Sequence, residues 1–182
     1  GVKVTFDADG GTPAPAEQAL NRGDLAVKPA DPTRPNATFL GWFYEGERFE
    51  FTTPINQSIK LQARWEFDYA AIMAALVAHY ADTFENLDWN PTEDVELLAE
   101  ISGLPITWSS SEPEYFSNDG KVTQPPYSVG DKTIMLRASI TPEHIKEFYF
   151  IVKALEQTTE ELLDEILRVV TIVPSTPSGY QE

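Results

Sequence analysis

The hydrophobic period of this chain changes at about Asp68, and the change limits the folds open to it. Before that point the apolar residues alternate. Val2, Val4 and Phe6 are opposed by Lys3 and Thr5, and Ile59, Leu61, Ala63 and Trp65 by Lys60, Gln62 and Arg64. A period of two is that of a strand with one buried face. From Asp68 the spacing becomes three and four: Ile72, Met73, Leu76, Val77, Tyr80 and Phe84 form one stripe, which predicts a helix from about Asp68 to Asn86. Alternation then returns in "KTIMLRASI", where Ile134, Leu136, Ala138 and Ile140 share a face, and in "EFYFIVKAL". A second helical pattern follows in "TTEELLDEILRVV". Its apolar face is Leu162, Leu163, Ile166, Leu167 and Val170, and Thr158 with Glu161 has the spacing of a capping box.

Turn residues subdivide these segments. Gly46 within "EGE" splits an aromatic run into a hairpin, and "NDG" at Asn118 to Gly120 is a strong reversal signal, because these residue types tolerate positive φ. "VKPADPTRPNA" is proline-rich and reads as extended or looping chain. "VELLAEISGLPITW" fits a helical face or strands, and strands are expected for both halves, with further strands at "EYFS" and "KVTQ". The expected organisation is a β module over 1–66, a connecting helix over 67–90, a β-sandwich over 91–155, and a helix with linker over 156–182. The final helix either caps this sandwich or begins another unit, and "IVPSTPSGYQE" has the composition of a linker or a cut end. A chain that opens directly on a strand after Gly1 is expected to be a mature or excised fragment.

Composition excludes several functions. With 29 Asp and Glu against 13 Lys and Arg, the formal net charge is −16, the wrong sign for nucleic acid or an anionic membrane surface. Cysteine is absent, which removes disulfides, thiol nucleophiles and thiolate metal sites. The apolar run "YAAIMAALVAHYA" is too short to span a bilayer, which takes about 20 residues. No membrane insertion is expected of this segment.

The chemistry-bearing residues do not assemble a catalytic motif. His79 and His144 are far apart in sequence and neither neighbours a nucleophile; no nucleophile elbow, phosphate loop or dinucleotide fingerprint occurs. No enzyme is expected. "VTFDADGGT" invites a calcium reading, but an EF-hand loop counted from Asp7 has Gly11 at position 5, Thr12 at position 6 and Gln18 at position 12, where oxygen ligands, glycine and glutamate belong. It reads better as a strand and turn, with Gly10 and Gly11 supplying backbone freedom. No cofactor is expected; a peripheral Ca2+ site using Asp7, Asp9 and Asp131 is the one metal reading left open. Trp42, Trp65 and Trp108 fall in strands and are expected in the core. Tyr44, Trp89, Tyr115 and Tyr127 are less constrained and are the candidate ligand-binding aromatics, either stacking sugars or forming a protein-binding patch. The sequons at Asn36 and Asn56 are read as coincidence.

Two stretches resemble known families. "VTFDADGG", "KPADPTRPNATFLGWFYEGERFEF" and "IKLQARW" resemble the Listeria–Bacteroides repeat, the B-repeat of internalin-type surface proteins. Lys28, Pro29, Asp31, Pro32, Phe39, Gly41, Trp42, Leu61, Ala63 and Trp65 occupy the family's positions; "NAT" at Asn36 to Thr38 departs from its usual glycine and aromatic. "ITWSSSEPEYFSNDGKVTQPPYSVGDKTIMLRASIT" resembles the atrophied bacterial immunoglobulin-like domain, through Ile106 to Ser111, Pro113, Asp119, Gly120, Val122, Thr123, Pro125, Gly130, Asp131, Leu136, Ala138 and Ile140. The resemblances imply a mainly β protein with flanking helices: a small β-grasp-like module plus an Ig-like β-sandwich, connected by an α-helix. They imply a non-catalytic bacterial cell-surface or extracellular fragment, acting as stalk, spacer or adhesin segment. Its partner would be a host or neighbouring cell-surface protein or glycan, with a glycan- or protein-binding module as the alternative role.

Overall fold

The computed structural model describes residues 1–172, so the linker expectation for the tail after Ile172 lies outside the described residues. In chain order the first five strands are β1 (Val2–Asp7), β2 (Gln18–Leu20), β3 (Ala37–Tyr44), β4 (Glu47–Arg48) and β5 (Ile59–Phe67). They form one five-stranded sheet in the order β2-β1-β5-β3-β4. β1 and β5 lie parallel, with Val4 opposite Ile59 and Phe6 opposite Leu61, so the two alternating patterns point their apolar sides the same way. That side holds Val2, Val4, Trp42, Leu61 and Ala63, all nearly or fully buried, roofed by Ala8, Ala26 and Ile55 from the loops. The module is β-grasp-like in its parallel central pair, but the long crossover holds no helix. Its prolines supply no amide donor for one, and Pro32 is fully buried instead. The hairpin at "EGE" is present, with Glu45 and Gly46 both at positive φ.

β5 runs into α1 (Tyr69–His79) through a single residue, Asp68, whose carboxylate accepts the Ala71 amide at 3.0 Å and caps the helix. The helix is shorter than its apolar stripe. It ends at Tyr80, where the amides of Tyr80 and Ala81 turn back to carbonyls three residues earlier, and Tyr80 and Phe84 reach the core from a tight series of turns. The periodicity persists because both rings are wanted on the same side; the helical backbone does not.

The remaining strands are β6 (Glu100–Ile101), β7 (Leu104–Pro105), β8 (Thr107–Ser110), β9 (Lys132–Thr141) and β10 (His144–Val152). β6 and β7 make a two-residue ribbon, and β10-β9-β8 make an antiparallel sheet. The alternation in β9 is realised fully at Ile134, Leu136 and Ala138, which have no exposed surface. Facing them are Leu76 of α1, then Tyr80, Phe84, Ile106 and Phe116. This is the Ig-like half of the molecule, with α1 and irregular chain covering much of the sheet.

Two strand expectations need correction. Val95 to Ala99 is not a strand: its polar backbone atoms find single partners, Val95 N–H to the Gly120 carbonyl and Leu98 N–H to the Tyr80 hydroxyl at 2.9 Å. "EYFS" and "KVTQ" shrink to one bridge, Phe116 with Val122, across the "NDG" turn. Pro125 and Pro126 follow at once and cannot extend a ladder. The last element is α2 (Thr159–Ile172), where the expected Thr158–Glu161 cap forms. None of its residues is buried, so it does not cap this sandwich.

Phe84 is the hub of the second core, within ring contact of Tyr80, Trp89, Trp108, Phe116, Phe148 and Phe150. Removing it leaves a cavity on every side. Phe84→Ala is expected to cost about 3–5 kcal/mol in urea denaturation followed by tryptophan fluorescence; a loss below about 1 kcal/mol would show that the turns after α1 repack around it.

Candidate functional site

The feature that gathers the most polar chemistry is the junction between the two sheets, and it is built around Arg34. This residue lies at the end of the proline-rich crossover, and its side chain is only 7% exposed. Nη1 donates to the Asp9 carbonyl at 2.5 Å and Nη2 donates to the Gly103 carbonyl at 3.0 Å. The guanidinium lies over the Phe67 ring at 4.8 Å, with the Asp9 carboxylate 3.8 Å away. A planar cation thus ties the first turn of the chain to the β6–β7 turn. Nε has no partner.

Both turns are shaped for this. Asp9, Gly10, Ser102 and Gly103 all have positive φ. A Cβ added at Gly10 would lie 3.1 Å from Arg34 Cζ, and one at Gly103 would lie 2.9 Å from Nη2. The glycines let two backbones close on the guanidinium from opposite sides. "DADGG" therefore does recruit a cation, but the cation is Arg34.

Asn36 completes the junction. Its side chain donates to Ser102 Oγ at 3.0 Å, and its carbonyl accepts the Asp68 amide at 2.9 Å. At the far end of Asp68, Tyr69 stacks on His144 with centroids 3.9 Å apart, and His144 Nδ1 meets Thr141 Oγ1 at 2.7 Å. Sequence reasoning singled out none of these as a site. The departure from family pattern at Asn36 is the signal the sequence offers for the junction.

The candidate metal residues are placed otherwise. Asp7 accepts the Asp9 amide at 3.0 Å and pairs with Lys60 at 2.9 Å; the Lys60 hydrogen bond, then the Asp9 amide, hold its carboxyl below the usual range. Asp131 lies in the other half of the molecule and accepts the Ala154 amide at 2.8 Å. Among the described residues no three Asp, Glu or His side chains converge as a metal site.

The candidate aromatics are also dispersed. Tyr44 flanks the first core, accepts from Gln57 at 3.2 Å, and lines a shallow groove of about 270 Å³ with Phe49, Pro54, Ile55 and Ile59. Trp89 packs on Phe84 and Phe150, Tyr115 lies under the Lys132 ammonium, and Tyr127 is 45% exposed. Trp42 is 1% exposed; Trp65 and Trp108 are half-buried, donating to the Ala8 and Leu98 carbonyls at 3.1 and 2.8 Å.

The geometry defines a mainly β protein of two small modules fastened through a cation-centred joint. Residues 3–64 match the Listeria-Bacteroides repeat domain, and residues 70–155 match the atrophied bacterial Ig domain. The chain therefore carries these two modules in that order, and the second match includes α1. Both families are repeat or Ig-like domains typical of extracellular or surface proteins, and neither is characteristically catalytic. No curated protein and no solved structure matches the chain. No helix among the described residues is long and apolar enough to cross a membrane.

Gly103→Ala is expected to destabilise the protein more than Gly23→Ala. Both glycines have positive φ, but an added Cβ meets nothing within 4 Å at Gly23 and meets Arg34 at Gly103. Thermal or urea unfolding should show about 1 kcal/mol for the strained backbone alone and about 2–3 kcal/mol with the collision; equal losses would mean that the Arg34 contact contributes nothing. For Asp7, a lowered native pKa means its contribution is present above the unfolded value of about 3.9 and disappears as pH falls through the native one. Because the side chain is 38% exposed, the pair is worth less than about 1 kcal/mol. The stability gap between the protein and Asp7→Asn should be measurable at neutral pH, shrink with added salt, and close below about pH 4.

Proposed function

We propose that this chain is a non-catalytic segment of a bacterial cell-surface or secreted protein, and that it works as a rigid stalk or spacer within an adhesin-type assembly. The observation that carries the reading is the Arg34 joint, reinforced by the passage from β5 to α1 through one residue. A flexible connection would need several residues free of long-range contacts. Here Asn36 is hydrogen-bonded to Ser102, Ala37 pairs with Phe67 in the ladder, Asp68 caps α1 and Tyr69 stacks on His144. Fixed orientation has a use in a protein that must hold a partner-binding portion away from a surface. The acidic surface, at a formal net charge of −16, keeps such a segment soluble.

The alternative role as a glycan- or protein-binding module would gain from Tyr44, Trp89, Tyr115 and Tyr127 sharing one exposed face. Tyr44 packs on the first core, Trp89 and Tyr115 on the second, and Tyr127 is exposed outside both, a dispersal that favours the spacer. A partner of the assembly, a host or neighbouring cell-surface protein or glycan, would then be met outside this joint.

Because the chain has no cysteine, spin labels can be placed at introduced cysteines alone. Labels at the exposed positions Thr52 and Ser128 should give one narrow distance distribution by pulsed electron resonance. Arg34→Met, which keeps the stem but removes the fork, should broaden it. A broad distribution in the parent protein would overturn the rigid-spacer reading.

A further inference from the structure

Among the described residues, nothing buries the face of α2 formed by Leu162, Leu163, Ile166, Leu167 and Val170, whose exposures run from 46 to 65%. An amphipathic helix gains little by forming alone in water, because helical stability in proteins comes mainly from packing an apolar face. Something covers this face in the working protein, and α1 shows what it is. Counted from their N-caps, Asp68 and Thr158, the two helices carry apolar residues at the same places. Ile72 corresponds to Leu162, Met73 to Leu163, Leu76 to Ile166, Val77 to Leu167, and Tyr80 to Val170. In α1 Ile72 and Leu76 are buried and Met73 and Val77 are half-buried, and Tyr80, the residue just past its end, is buried too. Four of the five charged residues of α2, Glu160, Asp164, Glu165 and Arg168, correspond to Ala70, Ala74, Ala75 and Ala78, all exposed; the fifth, Glu161, is the cap partner of Thr158 and corresponds to half-buried Ala71.

We infer that α2 is the docking helix of a further sheet, covering its apolar face as α1 covers that of β8–β10. The sheet in the present structure cannot be the occupant, because α1 and its following turns already fill that face. A second copy of α2 is disfavoured by charge: Glu160, Glu161, Asp164 and Glu165 stand against one Arg168, so paired helices would line both flanks of their seam with like charge. An anionic lipid surface is disfavoured for the same reason. The inner face of an antiparallel sheet, apolar and uncharged like Ile134, Leu136, Ala138, Phe148 and Phe150 here, has the matching chemistry.

The test asks whether the α2 face fits such a sheet. In the full chain, residues 72–79 are replaced by the sequence of residues 162–169, leaving Tyr69 and Tyr80 in place. The expected result is a cooperative unfolding transition with β9 and β10 amides still protected from hydrogen exchange. The same replacement carrying aspartate at the place of Ile166 should lower that protection about a hundredfold or more. Loss of the sheet in the first variant overturns the inference, and so does a sheet that survives equally well in the second. Sedimentation of the unaltered chain supplies the independent arm: a monomer is expected, and a dimer dissolved by Ile166→Asp would make a second copy the occupant and overturn it.

Discussion

The arrangement of this molecule depends on one guanidinium held between two backbones. Taking a cation out of water costs several kcal/mol unless hydrogen bonds and nearby charge replace the lost hydration. Arg34 recovers this from two carbonyls, an aromatic face and a carboxylate. Those acceptors exist only when both turns have their left-handed residues and the two modules are seated. The arginine is therefore poorly solvated in the assembled joint, but its two terminal nitrogens are served there, which favours one seating over many. A purely apolar contact of the same size would tolerate sliding.

The second module solves a different problem, that of a sheet whose facing layer is short of strands. Its aromatic residues do two jobs. Tyr80, Phe84, Trp108, Phe116, Phe148 and Phe150 supply the volume that paired strands would otherwise bury. The polar tips of Tyr80 and Trp108 also serve the irregular chain: Leu98 donates its N–H to the Tyr80 hydroxyl, and its carbonyl accepts from Trp108 Nε1. Burial pushes the Tyr80 hydroxyl pKa up, against the partial opposing effect of the Leu98 amide, so the phenol stays neutral and accepts that bond. Side chains here satisfy backbone groups that a ladder would satisfy in a fuller sandwich.

That division explains what the amino-acid sequence made legible. Strands with one buried face, β1, β5 and β9, announce themselves by alternation, and the turns at Gly46 and "NDG" by their residue types. The segment from Val95 to Ala99 has apolar residues of the right kind for a strand, but its partners are isolated backbone groups of Gly120 and Ile106 and the side chains of Tyr80 and Trp108, which no local pattern records. The early end of α1 is hidden likewise, since Tyr80 and Phe84 keep helical spacing while the backbone does not. At the joint the difficulty is greater. Arg34 looks like one exposed cation in a proline-rich loop, and its meaning comes from Gly103, a residue far along the chain. The acidic letters around Asp7 and Asp9 mark a place where a cation is held, and the cation there is the Arg34 guanidinium.

The two helices connect these observations. α1 begins one residue after the last strand of the first module, yet its buried Leu76 belongs to the core of the second, with Met73 packed against it. A helix of this kind binds to what comes after it in the chain, while its N-cap is fixed to what comes before, here through the Asp68 amide and the Asn36 carbonyl. Orientation is thereby handed forward from one sheet to the next without a free linker. α2 follows β10 with the same register of apolar residues after its cap, and its charged face matches the solvent side of α1. Rigidity in such a chain does not need large interfaces between sheets. It needs each helix to have one end held by the preceding module and one face claimed by the following one, with a polar clamp such as Arg34 to remove the remaining freedom of rotation.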